Sequence, residues 1–227
     1  DFPTIDKATL RGLNENGSEK NISIGYHAIE FLLWGQDFNT NGPGDRPYTD
    51  YVSNGTHENQ ARRGQYLKVT AEILVEDLKS MVDAWASGAS YYNSFVNDDA
   101  DNSLRKIMTG MGVLSKSELA GERIYVALDN QDQEDEHSCF SDNTHRDIIL
   151  NATGILNVYT ASYSRTDGSN INGASLNELL QQVNPELATE LEGLIRQSVD
   201  RASAIPVPFD QALTQETVSG DGPIMRT

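Results

Sequence analysis

Residues 59–86 read NQARRGQYLKVTAEILVEDLKSMVDAWA. Within them Tyr66, Thr70, Ile73, Leu74, Leu78, Met81, Val82 and Trp85 recur at helical spacing and form one stripe, with charged residues on the opposite face. A helix turns every 3.6 residues, so this pattern predicts one long amphipathic helix. At about 1.5 Å of rise per residue it measures about 40 Å, a length that suits a bundle. Strict period-two alternation of any length is hard to find elsewhere, so the fold class is all-α, a helical bundle.

Moving toward the N-terminus, Ile22, Tyr26, Ile29, Leu32 and Leu33 predict a helix over 22–34, stopped by Gly35. Residues 35–54 concentrate Gly, Asn, Asp and Pro and predict a long loop, a feature that in compact domains is usually functional or mobile. On the C-terminal side a short segment around Tyr91, Tyr92 and Phe95 precedes the acidic turn 97–102, whose carboxylates suit a helix start. Apolar periodicity then covers 104–128, interrupted around Gly110 and Gly112, where a break or a close helix contact is expected. Residues 129–143 are polar, 147–163 return to helix, and 166–174 read as a Gly/Asn/Ser loop. The last helices are 176–183 and 186–204, with Pro185 at a first-turn position and Pro206 and Pro208 ending them. The tail 220–227 lacks a helical period and reads as a loop or a cut end.

The 227 residues carry 17 Lys and Arg against 34 Asp and Glu, a formal charge of −17. Nucleic acid and anionic membrane surfaces require basic patches, so neither is an expected partner. The single cysteine, Cys139, excludes an internal disulfide framework and any multi-cysteine zinc or iron–sulfur site. No apolar run reaches 18 residues, and the first residues lack an initiator Met, a basic flank and an apolar stretch. The chain is therefore expected to start mid-protein or after processing.

The sharpest chemical feature is Gly25-Tyr26-His27-Ala28-Ile29-Glu30 inside the first predicted amphipathic helix. His27 and Glu30, three apart, share a face, where an imidazole and a carboxylate can share a metal, exchange a proton or simply hydrogen-bond. Their apolar neighbours make such a pair costly unless it is paired or used. Neither zinc-protease pattern is complete. His57-Glu58-Asn59-Gln60-Ala61 has Ala61 where His-Glu-x-x-His needs its second ligand, and His27-Ala28-Ile29-Glu30-Phe31 ends in Phe31. Asp37, Asn39, Asn41 and Gly42 copy the start of an EF-hand loop, but Tyr48 stands where its closing Glu belongs, which leaves an Asn/Gly turn network as the other reading. The second polar cluster holds Glu136, His137, Cys139, Asp142 and His145. It reads either as a metal site or as a solvated rim in which Ser141 or Asp142 caps the next helix. Glu118 and Glu122 lie four apart on a helix with Arg123 as an ion-pair partner.

The stretches GYHAIEFLLWGQD (25–37) and NGPGDRPYTD (41–50) closely resemble the imelysin family. So do RRGQYL (62–67), TGMG (109–112), ELAGER (118–123), EHSCFSDNTH (136–145) and NVY (157–159), in the same order, over about residues 10–205. The resemblance implies an all-helical protein of two bundle-like halves, of which residues 1–227 form the C-terminal half without the N-terminal bundle and the final helix. It further implies a bacterial envelope protein, periplasmic or outer-membrane-associated, tied to iron acquisition and also classed with metallopeptidases. The family's Gly-x-His-x-x-Glu signature falls on Gly25, His27 and Glu30.

Three functions follow as expectations. The first is binding of a metal ion or iron-related ligand by His27 and Glu30, with Gly25, Asp37, Glu118, Glu122, Arg123, Glu136, His137, Asp142 and His145 as further ligands or lining groups. Carboxylates with imidazole suit iron, zinc or another first-row metal. The second is a metal-dependent peptidase acting on a peptide substrate, with Glu30 as general base. The third is a haem-binding protein of iron uptake. The missing N-terminal half, or a second fragment of the same protein, is an expected partner.

Overall fold

The computed structural model describes residues 3–55 and 57–213, together with Gly222 and Ile224. Apart from those two residues, the expected loop at 220–227 lies outside the described residues. The chain divides into two compact units, residues 1–103 and 104–227. Helices dominate both, as the hydrophobic period requires.

The first unit contains α1 (Lys7–Leu13), α2 (Tyr26–Trp34), a 3-10 turn (Tyr48–Tyr51), α3 (Gln60–Ala84) and α4 (Ser90–Val96). Asp6 caps α1 by accepting from the Thr9 backbone N–H at 2.8 Å, a bond that holds its carboxyl below the usual range. The long stripe of α3 splits in two. Thr70 and Ile73 are fully buried, and Val69 and Ile73 join Leu10 in a small core with Ile5, Ile24 and Tyr66 at its edge. Val75, Leu78, Met81, Val82 and Trp85 are exposed, although the Trp85 ring meets Tyr91 and Phe95 edge-on at 5.0 and 5.2 Å. α2 starts later than its periodicity predicts because Gly25 takes a φ of 96°, which side-chain-bearing residues avoid. Ile22 and Tyr26 are consequently exposed.

α5 (Ala100–Val113) begins in the acidic turn, where the Asp99 side chain accepts from the Asp101 N–H at 3.0 Å. The expected break at Gly110 and Gly112 does not occur. The helix instead widens into a π-helix, Leu114–Tyr125, and continues as α6 (Val126–Asn130). A 3-10 turn (Gln133–Asp135) leads to α7 (Thr144–Thr160), which starts three residues earlier than predicted. Neither Ser141 nor Asp142 caps it. Asn143 holds that position, and Asp142 is buried with a φ of 53°.

α7 stops at Thr160, short of the expected helix end at 163, and the chain turns into β1 (Ser162–Ser164), which pairs with β2 (Asn170–Asn172) inside the expected loop. Serine–asparagine pairs cross this hairpin at both ends, Ser162 to Asn172 at 2.9 Å and Ser164 to Asn170 at 2.6 Å, and flank the central pair of Tyr163 and Ile171. α8 (Leu176–Val183) starts with a reciprocal Ser175/Glu178 capping box, and α9 (Pro185–Ala204) with Pro185 in its first turn as predicted. Past the two prolines the chain adds α10 (Phe209–Leu213). α7 packs on α9 and on the π-helix around Leu119, Ala127, Ile148, Ala152, Ile155, Ala202, Ile205 and Phe209. Among the described residues no helix is long and apolar enough to cross a membrane.

Candidate functional site

α2 carries the signature in the first unit. Three residues of helix bring His27 Nδ1 to 2.7 Å from Glu30 Oε2. Glu30 is 7% exposed, whereas His27 is half-buried, so a carboxylate below a more open imidazole is the local arrangement. With Glu30 as carboxylate, Nδ1–H is the donor, and the ring presents Nε2 on the side away from Glu30. A carboxylate on one ring nitrogen fixes the tautomer and raises the basicity of the other, the usual support of a ligating histidine.

The loop after α2 wraps its end. Asp37 is buried, and its Oδ1 accepts from the Asn39 N–H at 2.8 Å, while Asn39 Oδ1 accepts from the Asn41 N–H at 3.2 Å. The EF-hand-like residues therefore build a chain of Asx turns. Deeper in the loop, Arg46 pairs with the buried Asp50 at 3.1 Å, and Arg63 of α3 donates to the Asp50 carbonyl at 2.5 Å. His57 Nε2 lies 3.6 Å from Asp50 Oδ1. Burial pushes the Tyr51 phenol up, opposed by the charges of Arg46 and Arg63. Arg46, Asp50 and Tyr51 were not singled out by sequence, although a carboxylate four residues after an arginine in a Gly/Pro loop is the signal that marks such a brace.

The second unit holds the remaining candidates. Arg123 pairs with Glu118 at 3.1 Å, five residues away, because the π-helix brings i and i+5 together; Glu122 is exposed. Glu136 and Asp142 are buried. His137 Nδ1 meets Asp147 Oδ2 at 2.9 Å, and the Ser138 hydroxyl donates to the same oxygen at 2.5 Å. The Ser138 N–H donates to Thr144 Oγ1 at 3.0 Å, and His145 Nδ1–H to the Asp142 carbonyl at 3.1 Å. The polar cluster is thus a loop folded onto the start of α7, with Asp147, a residue the sequence did not flag, at its centre.

Among the described residues no three His, Cys, Asp or Glu side chains stand together as a metal site. His27 and Glu30 offer one imidazole and one carboxylate, fewer donors than zinc or iron takes.

The imelysin family model matches residues 1–221. Iron-regulated protein A of Synechococcus elongatus is 32% identical over 160 residues, covering 66% of this chain and 44% of the relative. The chain thus spans less than half the length of that relative. A match running along nearly the whole sequence, together with the histidine–glutamate pair held in contact on one helix, leads to one conclusion: the chain belongs to the imelysin family.

Proposed function

We propose that this chain is part of an imelysin-type envelope protein, periplasmic or outer-membrane-associated, with an iron-related role, and that His27 and Glu30 are its contribution to the ligand site. Family membership and the name of the cyanobacterial relative support the iron-related role. The observation that carries the site is the 2.7 Å bond between His27 and a buried carboxylate. His27 is the ligand and Glu30 first of all its orienting carboxylate, so further donors are needed. The polypeptide that the relative has and this chain does not cover is their proposed source. Asp37, in the loop behind α2, stays as a proposed lining group; Glu118, Glu122, Arg123, Glu136, His137, Asp142 and His145 belong to the second unit.

The test is anaerobic equilibrium dialysis against iron(II), with this chain and with a longer polypeptide containing it. The longer protein takes up iron stoichiometrically, His27→Ala abolishes uptake, and Glu30→Ala weakens it by about tenfold, as loss of an orienting carboxylate does. Unchanged uptake in His27→Ala removes the motif from the site. The peptidase label of the family favours a second reading, a metal-dependent peptidase. It requires chelator-sensitive cleavage of an unfolded substrate that Glu30→Ala eliminates.

A further inference from the structure

We infer that the loop at residues 35–51 is a clamp that positions the His27–Glu30 pair, and that Arg46 is its central positioning residue. As a statement about a ligand site this rests on the function proposed above; as a statement about geometry it stands on α2 itself. α2 has nine residues, and helices shorter than about 12–15 are marginal by themselves. Its N-cap is Gly25, which offers no side chain, and it has neither an acidic residue in its first turn nor a basic one in its last. Glu30 and Leu32 are its buried residues. Such a helix must be held from outside.

The last four carbonyls of a helix lack partners within it. In α2 these belong to Phe31, Leu32, Leu33 and Trp34, and the following loop serves three of them. The Phe31 carbonyl accepts from the Gly35 N–H at 2.8 Å and from Arg46 Nη2 at 3.3 Å. The Leu32 carbonyl accepts from the Tyr51 phenol, and the Trp34 carbonyl from the Arg46 N–H at 2.9 Å. Arg46 therefore acts twice, through its backbone and through its side chain. Its guanidinium carbon also lies 5.4 Å from the centroid of the Phe31 ring, and its charge sits at the negative end of the helix.

Asp50 holds the other edge of the guanidinium, and Arg63 ties the Asp50 backbone to the first turn of α3, against which α2 packs. Gly35 makes room for this arrangement. Its φ is 77°, and a Cβ there would lie 3.4 Å from Arg46 Cβ and Nη2. Glu30 directly precedes the first clamped carbonyl, so release of the last turn shifts Glu30 against His27, one turn earlier.

The experiment is nitrogen-15 NMR of the histidine ring in the full chain at fixed pH, with no ligand added, alongside amide exchange of α2. Glu30→Ala supplies the His27 Nδ1 resonance with the carboxylate bond lost. Arg46→Ala moves Nδ1 at least halfway to that value and speeds exchange at residues 32–35 at least tenfold. Arg46→Lys, which keeps the charge beside Asp50 but not the fork, recovers part of the shift. Tyr51→Phe deletes one hydrogen bond and leaves the core intact, so it decides the matter if Arg46→Ala does not fold; it moves Nδ1 in the same direction by less. Wild-type Nδ1 values in both Arg46→Ala and Tyr51→Phe overturn the proposal. Because the readout needs no iron, a protein that binds none refutes the proposed function and leaves the clamp to this result.

Discussion

His27 and Glu30 stand three residues apart on a nine-residue helix, whereas His137 and Asp147 stand ten apart and meet across a folded loop. The first pair is created by helical spacing, and its helix borrows hydrogen bonds from the loop behind it. The second is created by tertiary folding, and its carboxylate belongs to a 17-residue helix rooted in the core through Ile148, Ala152, Ile155 and Tyr159. A local motif identifies which groups meet; it does not identify what keeps them meeting. The units repeat the contrast. Among the described residues, three buried apolar side chains make the core cluster of the first, and eleven make that of the second.

The largest effect should come from emptying the smaller core. Ile73 is fully buried, and Ile73→Ala should cost about 3–4 kcal/mol, the usual loss for a buried aliphatic truncated to alanine. Ile148→Ala makes the same chemical change in the larger cluster, where neighbours such as Ile149, Ile155 and Leu119 can close in, and should cost about 2–3 kcal/mol. Hydrogen exchange resolves the two, with protection lost through residues 3–103 in the first variant and through the second unit in the other. A smaller cost at Ile73 than at Ile148 breaks the contrast between the cores.

Next in size is the comparison of the two carboxylates. Asp147 accepts from both His137 and Ser138, and Asp147→Ala should cost about 2 kcal/mol, since two partners lose their acceptor at once. Glu30→Ala removes the acceptor of His27 and should cost about 1 kcal/mol. Urea titrations of the two variants check the order. If Glu30→Ala costs more, α2 depends on its carboxylate more than on the loop that caps it, and the account of the first pair changes.

The helical class, the long α3 and the His27–Glu30 contact were legible because each is set by a period of 3.6 within one segment. The same period in residues 22–34 overshoots the start of α2, because a single glycine with positive φ outweighs one more apolar turn. The β1–β2 hairpin was hidden for a related reason. Ser-Tyr-Ser and Asn-Ile-Asn do alternate, but three residues in each strand are too few for a period to stand out. Arg123 and Glu118 were expected as partners on an ordinary helix, and the five-residue step between them becomes intelligible only with the π-helix. Asp147 was missed as a site residue because its partners His137 and Ser138 lie in a loop whose course follows from tertiary packing, and Arg46 because it serves the Phe31 and Trp34 carbonyls at the end of a helix earlier in the chain. The proposed iron-related role rests on the family resemblance and not on any complete donor set in the sequence.

The smallest expected effects compare one phenol in each unit, the half-buried Tyr66 and the buried Tyr159. Tyr66 donates to the Ser23 carbonyl at 2.7 Å, and burial raises its pKa above the usual phenol value. Tyr159 is raised by burial first and then by the charge of Glu192, but its contacts to Asn177 and Ala188 are long, 3.3 and 3.4 Å. A raised pKa means that the fold favours the protonated phenol over its ionised form. The stabilisation is therefore present in full below about pH 10, the value for an unfolded tyrosine, and is lost as pH rises through the folded value. Tyr66→Phe should cost about 1 kcal/mol at neutral pH and Tyr159→Phe less than about 0.5, in proportion to hydrogen-bond quality. Each substitution should also flatten the alkaline loss of stability in its own unit, because phenylalanine has no proton to lose. Urea midpoints at pH 8 and at pH 11 for the wild type and both variants measure this. Equal costs for the two at pH 8 would mean that the Tyr159 hydroxyl is held as firmly as that of Tyr66. The better-anchored second unit would then owe part of its stability to polar contacts as well as to its larger core.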